Sequence, residues 1–123
     1  MNNDKLTQLD IEDFIWLIYI GIIVLSWYSN SLERDYYINN NINSKNKYRK
    51  ILILIFTVLN IIYFYFLNDS YNGIKSINNI DSKKKKDLNY LSFVASLLIS
   101  ISGIILLYIA IVDDDLDVEI AFN

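Results

Sequence analysis

Apolar residues are concentrated in three blocks of this chain, and most charged residues lie between or beside them. The longest block, Leu91–Val112, has 22 residues and no charge. As an α-helix it would be about 33 Å long, which matches the hydrocarbon core of a bilayer. A second uncharged block, Ile51–Leu67, has 17 residues, and a third, Ile11–Tyr28, is uncharged over its last 15. The pattern predicts three helices of about membrane-spanning length.

A soluble helical bundle is the main alternative for such blocks. Its helices would keep a polar outer face at the helical period, whereas Ile51–Phe56 is apolar on every side and Gly103–Val112 is interrupted only by Tyr108. The chain also has no Pro and only three Gly, which favours long helices over a turn-rich β-fold. We therefore expect an all-α fold, a small integral membrane protein with three antiparallel transmembrane helices. The alternatives are an interfacial or re-entrant first block with two spans, and the set of buried soluble helices.

The blocks and the polar segments predict one membrane domain over residues 1–123. We expect spans at about 11–29, 51–67 and 89–112, loops at 30–50 and 68–88, and an acidic tail at 113–123. No basic leader or small-residue cleavage site precedes the first block, so we expect this block to remain in the mature protein. Ser31–Ile38 can prolong the first helix, Asn39–Ser44 predicts a turn, and Asp81 or Ser82 predicts the N-cap of the third helix.

Basic residues cluster in the two connections. They are Lys45, Lys47, Arg49 and Lys50 in the first, and Lys83, Lys84, Lys85 and Lys86 in the second. Four cations at the start of a helix oppose its macrodipole, so attraction to lipid head groups explains them better than helix stability does. With three spans, the two sides of the membrane carry six and five basic residues. This balance gives the positive-inside rule no preference, and both a fixed and a dual topology stay open.

A stripe of small residues follows one side of the third block. Its members are Ser92, Ser96, Ser100, Gly103 and Ala110. Small residues allow helices in lipid to approach closely, so the stripe predicts a helix-packing face. The partner of this face is either the same chain or another copy. Lining of a hydrophilic pore is the functional alternative for the three serines.

Asn60 is the one side-chain amide inside a predicted span, near the middle of Ile51–Leu67. An amide in hydrocarbon without a partner is costly, so we expect Asn60 to face protein. The candidate partners are the serines of the third helix and, on the first helix, Tyr19 or Ser26. A hydrogen bond between helices is the simplest role, and an ion or transport site is the alternative. No charged residue accompanies Asn60 inside the span, which argues against a proton-coupled carrier.

The remaining chemistry-bearing residues point away from catalysis. The chain has no His and no Cys, and it carries no Gly-rich phosphate loop or nucleophile motif. Carboxylates at 113–115, 117 and 119 can attract a hard cation, but they lack the spacing and glycine of an EF-hand. We therefore expect no enzyme, no metal and no cofactor, and we interpret the acidic tail as solvated charge. The basic connections lack the interleaved aromatics of a nucleic-acid surface, so we expect lipid and no nucleic acid as their partner.

Together these features predict a non-enzymatic accessory or regulatory membrane component that acts through helix packing. The alternative is a self-assembling pore or channel. In size and layout the chain resembles small three-span membrane proteins such as phage holins, a likeness of shape that no motif carries. We expect a multi-pass protein of the cell membrane whose partners are the lipid bilayer and either copies of itself or a larger membrane complex.

Overall fold

Three α-helices form the regular structure of the computed structural model, which describes residues 2–118. They are α1 (Asn2–Asn39), α2 (Ile42–Lys75) and α3 (Lys83–Val112). No strand occurs within these described residues, so the all-helical prediction is confirmed. Residues 119–123, the end of the acidic tail, lie outside the described part of the chain.

The helices extend well beyond the uncharged blocks. Residues 30–39 continue α1, as the sequence allowed for 31–38, and residues 42–50 and 68–75 belong to α2. The segments 30–50 and 68–88, expected as loops, are therefore largely helical. Charged and amide side chains do not stop a helix when they project into water, and no Pro is present to end it.

The predicted turn at Asn39–Ser44 exists but is shorter, since only residues 40 and 41 lie outside the helices. Asn40 has φ 52°, a left-handed conformation that Asn tolerates better than most residues and that commonly ends a helix. Asn41 caps α2, because its Oδ1 accepts the backbone N–H groups of Asn43 at 3.1 Å and Ser44 at 3.4 Å. Local hydrogen bonding by amide side chains thus reverses the chain in two residues.

The connection between α2 and α3 spans residues 76–82. Ser82 is the N-cap of α3, as predicted, and its Oγ accepts the backbone N–H of Lys85 at 3.1 Å. Asp81, the other candidate, accepts the N–H of Asn78 at 2.8 Å and so fixes the turn before the cap. At its other end α3 ends at Val112, where the backbone N–H of Asp113 still donates to Ile109 O at 2.9 Å.

The described residues form two compact units, residues 2–55 and Phe56–Val118. The single membrane domain expected from the sequence stays a prediction. In the first unit the buried side chains are Ile15, Ser29, Ser44, Tyr48, Leu52 and Ile55. In the second unit the buried apolar side chains are Phe56, Leu59, Ile62 and Ala110.

Two helices, α2 and α3, are long and apolar enough to cross a membrane, and α1 is not among them. Both are poorly covered by the rest of the chain. Only 33% of the most apolar stretch of α2 is buried, and only 17% of that of α3. Side chains such as Leu98, Ile105 and Tyr108 project outward from α3. A core helix of a soluble protein would instead be mostly buried.

A candidate helix-packing site between α2 and α3

The stripe of small residues on α3 faces the interior of the second unit over most of its length. Ser100, Gly103 and Ala110 are buried, and Ser96 is partly buried. Ser92 is exposed within the chain, so its place in the packing face stays a prediction. Next to Ser92, the aromatic ring of Phe93 lies 6.0 Å from that of Tyr71. The inward face of α3 is therefore built from small residues in its middle and an aromatic contact near its start.

Asn60 joins the two helices at the centre of this face. Its side chain is 6% exposed, and its Nδ2 donates to the carbonyl oxygens of Phe56 at 2.8 Å and Gly103 at 3.0 Å. The expectation that Asn60 faces protein agrees with this position. The expected partners were wrong, because the hydrogen bonds reach backbone rather than a serine, Tyr19 or Ser26. Gly103 has no side chain to shield its carbonyl, so the amide of α2 reaches the backbone of α3 directly.

The other end of the Asn60 amide occupies the space left by the missing side chain of Gly103. A Cβ atom on Gly103 would lie 2.5 Å from Asn60 Oδ1 and 2.8 Å from Tyr63 Cδ2. Oδ1 is buried and has no hydrogen-bond partner among the described residues. Its close neighbour is the α-carbon region of Gly103, which offers at most a weak C–H donor. The observed position of the Asn60 amide therefore depends on the absence of a side chain at Gly103.

Two further polar contacts join α2 to α3. The Oγ of Ser100, which is 2% exposed, donates to Tyr63 O at 3.4 Å. Farther along, the hydroxyl oxygens of Ser70 and Ser96 are 2.8 Å apart, and Ser70 also donates to Phe66 O at 2.9 Å. Since the donor in the second contact must then be Ser96, each hydroxyl finds an acceptor. Hydrogen bonds of this kind between membrane helices contribute about 0.6–2 kcal/mol each.

The basic residues predicted to meet lipid head groups have varied surroundings. The ammonium of Lys45 lies 5.3 Å from the centre of the Tyr36 ring, and that of Lys86 is 3.4 Å from Asn79 O. Lys85 lies 3.2 Å from a carboxylate oxygen of Asp81. The backbone N–H of Asn78 and then Lys85 hold the pKa of Asp81 below its ordinary value. Arg49 is half-buried, whereas four other members of the two clusters are exposed: Lys47, Lys50, Lys83 and Lys84.

One carboxylate of the acidic tail accepts hydrogen bonds from the backbone of the tail itself. The carboxylate of Asp113 accepts the N–H groups of Asp117 at 3.0 Å and Val118 at 2.9 Å. Among the described residues, no group of His, Cys, Asp or Glu is placed to hold a metal ion. Glu119, which belongs to the predicted tail, lies outside these residues.

Sequence reasoning missed one polar cluster, at the turn between α1 and α2. Asp35 accepts hydrogen bonds from Asn39 Nδ2 at 2.7 Å, Asn41 Nδ2 at 2.8 Å and Ser44 Oγ at 2.5 Å. These bonds, the one from Ser44 first, hold the pKa of Asp35 below its ordinary value. The signal in the sequence was an acid followed by amides four and six residues later across a turn. These bonds stabilise the turn, since the three donors lie in the turn or at the adjoining ends of α1 and α2.

In comparisons with known proteins, no family model, no curated protein and no solved structure matches this chain. The conclusions about function therefore rest on the helices and their contacts alone.

Proposed function

We propose that this protein is a multi-pass membrane protein that acts as a non-enzymatic accessory or regulatory component through lateral helix packing. The observation that carries the proposal is the poor coverage of α2 and α3. Both are apolar enough to cross a membrane, yet most of their apolar surface is not buried by the chain. Water would disfavour such surfaces at roughly 25 cal/mol per Å², whereas lipid accepts them.

In this proposal α2 and α3 form an antiparallel transmembrane hairpin. The order of their contacts supports it, because Asn60 meets Gly103, whereas Ser70, later in α2, meets Ser96, earlier in α3. Hydrogen-bonded polar groups lie inside the pair and apolar side chains outside, the arrangement that a bilayer requires. The uncharged segment 14–28 of α1 supplies the third span in this proposal. The cell membrane is the proposed location.

A packing role is favoured over a pore because Asn60 Nδ2 and the hydroxyls of Ser96 and Ser100 form hydrogen bonds within the hairpin. Asn60, Ser96 and Ser100 direct hydrogen-bonding atoms at α2 or α3 rather than at an open channel. A pore would need polar groups facing a shared aqueous path. Proteoliposome flux assays separate the two functions: we expect assembled protein without ion flux, and ion flux above that of empty liposomes would favour the pore.

The membrane arrangement is tested directly by labelling, since the natural chain has no cysteine. Single-cysteine variants at Asn3, Asn46, Asn79 and Asp117 would be treated with a membrane-impermeant thiol reagent in intact cells and in inverted vesicles. Three spans place positions 3 and 79 on one side and positions 46 and 117 on the other. If position 3 labels with position 46, α1 does not cross. Labelling of every position from both sides would indicate dual topology.

The proposal first requires that the chain be inserted in the membrane, which carbonate extraction tests. We expect the chain to stay in the membrane pellet after washing with high salt and alkaline carbonate, because apolar helices and not surface charge hold it. Release into the carbonate supernatant would contradict the proposed function as a whole.

A further inference from the structure

An uncovered line of residues runs along α1, on a different side from the buried residues Ile15 and Ser29. Successive members are alternately four and three positions apart, the spacing of the contact seam in a coiled coil. Gly21, in the middle of the line, has no heavy atom within 4 Å of its Cβ position, so this part of α1 is open. We call the line the α1 seam, and all of its members are exposed: Asp10, Phe14, Leu17, Gly21, Val24 and Tyr28.

A second line, on α3, has the same order of steps. It lies on a different side of the helix from Gly103 and Ala110, which are buried. Its members, which form the α3 seam, are also exposed: Lys84, Leu88, Leu91, Ala95, Leu98 and Ser102. Each of the two helices therefore buries one side within the chain and leaves a regularly spaced side uncovered.

The two seams match position by position when α1 and α3 lie parallel. Asp10 precedes Gly21 by 11 positions. Lys84 precedes Ala95 by the same number of positions. Small residues that face each other permit close approach of two helices, and setting Gly21 beside Ala95 also sets the carboxylate beside the ammonium. The apolar members of the seams then meet as well: Phe14 with Leu88, Leu17 with Leu91, and Val24 with Leu98.

The same alignment brings the two helices into the membrane at one level. The uncharged segments begin directly after Asp13 in α1 and Asp87 in α3, and these two positions coincide in the alignment. In a parallel pair the two acids lie on opposite sides of the contact, so their like charges do not meet. A shift by one heptad would place Asp10 against Leu91, inside the uncharged part of α3, where a carboxylate is costly.

We propose that α1 of one copy packs along α3 of a second copy in the same orientation, with Asp10 of the first against Lys84 of the second. This inference rests on the proposed membrane function and names a second copy as the packing partner. Charge complementarity selects the pairing, because α1 against α1 would bring Asp10 to Asp10, and α3 against α3 would bring Lys84 to Lys84. Lys84 then faces a carboxylate rather than a lipid head group. Each copy can use its α1 toward one neighbour and its α3 toward another.

Disulfide formation between two single-cysteine variants tests the contact, since the natural chain has no cysteine. Gly21→Cys and Ala95→Cys would carry different affinity tags, be co-expressed, and be oxidised in isolated membranes. A disulfide that joins the two tags connects two copies by design, and it requires Cα atoms within about 7 Å of each other. We expect the 21–95 disulfide to form. The matched control is Ile23→Cys with Leu97→Cys, a pair at one level of the alignment that is exposed but lies outside both seams, and we expect little product from it.

The charge pair is tested in the same membranes. Asp10→Lys in the Gly21→Cys copy should slow formation of the 21–95 disulfide by about two- to five-fold, the range for a surface ion pair. Lys84→Asp in the Ala95→Cys copy should have a similar effect, and the two changes together should restore the rate. Lys83→Asp changes the same charge one residue away, at an exposed position outside the α3 seam, and should leave the rate unchanged.

Several outcomes would overturn the inference. Equal yields from the 21–95 and 23–97 pairs would mean random collision of copies. A 21–21 or 95–95 product that exceeds the 21–95 product would assign a symmetric contact instead. Absence of any product would leave both seams to lipid or to another membrane protein. If the chain stays in the membrane after carbonate washing and α1 crosses, but the 21–95 product is absent, the inference fails while the proposed function stands. Release by carbonate would contradict both.

Discussion

Asn60 and Gly103 fit each other at both ends of the asparagine amide. Nδ2 donates to the carbonyl oxygen of Gly103 at 3.0 Å, while Oδ1 lies only 2.5 Å from the place where a Cβ at position 103 would be. Because Gly103 has no side chain, α2 can approach α3 closely and the hydrogen bond from Asn60 can form. Backbone contact of this kind suits lipid, where helix association depends on packing and polar contacts because the hydrophobic effect contributes little.

Gly103→Ala is the first prediction. The new Cβ would meet Asn60 Oδ1 at 2.5 Å and Tyr63 Cδ2 at 2.8 Å, so α3 must move away or both side chains must shift. We expect a loss of about 1–3 kcal/mol in the free energy of unfolding, measured by denaturation in detergent micelles.

Gly21→Ala is the matched control for this substitution. Gly21 lies in α1 and has no heavy atom within 4 Å of its Cβ position. Since Ala has the higher helix propensity, we expect the control to be neutral or slightly stabilising. Similar losses in both variants would contradict the Asn60–Gly103 contact as the cause.

Asn60→Leu is the second prediction. Leucine has a similar size but makes no hydrogen bond, so we expect the chain to stay inserted and the helix pair to weaken by about 1 kcal/mol. Ile61→Leu, at a position that is 65% exposed, is the control and should change little. Stability and ion flux would be measured on the same preparation. If flux is present in the unaltered protein and disappears in Asn60→Leu with assembly intact, Asn60 belongs to a conduction path.

The sequence predicted the features that depend on neighbouring residues. The three helices follow from the apolar blocks, and Ser82 as the N-cap follows from a hydroxyl placed just before a helical run. The segments 30–50 and 68–88, expected as loops, are largely helical, because a charged or amide residue permits either a loop or a solvated helix. Residues 42–50 belong to a helix in which Ser44 and Tyr48 are buried.

The partner of Asn60 required a contact across 43 positions in the chain. Sequence analysis placed Gly103 in the packing face and Asn60 inside protein, but it did not pair them, because a backbone carbonyl leaves no trace in a residue pattern. The exposure of Ser92 could not be predicted from the spacing. At about 100° per residue Ser92 lies on the same side of α3 as Gly103 and Ala110, which are buried.

A graded series of serine substitutions is the third prediction. Ser100→Leu should weaken helix association most, by about 1–3 kcal/mol, because Ser100 is 2% exposed and has no room for a larger side chain. Ser96→Leu should weaken it less, since Ser96 is only partly buried, although it loses the contact with Ser70.

The same substitution at Ser92, which is exposed, should have little effect, and so should Leu98→Ile at a position that is 60% exposed. Disulfide crosslinking between cysteines introduced on α2 and α3 measures the association within a chain. The same loss at Ser92 and Ser100 would show that the buried face of α3 is not the interface.

The last prediction concerns pH and Asp35. Hydrogen bonds from Ser44, Asn39 and Asn41 favour its carboxylate, so its pKa in the folded chain lies below the ordinary value. The stabilisation from these bonds is fully present above the ordinary pKa, and it is lost as the pH falls through the lowered pKa. In a carboxyl NMR titration, the pKa of Asp35 should be lower in the unaltered chain than in Ser44→Ala or Asn39→Ala. Ser44→Ala should raise this pKa more than Asn39→Ala, because the hydrogen bond from Ser44 lowers it most. In Asp35→Asn the stability of the turn between α1 and α2 should no longer fall with decreasing pH. Amide hydrogen exchange at Asn43 and Ser44 measures this stability. An unchanged acid dependence in that variant would assign it to another carboxylate.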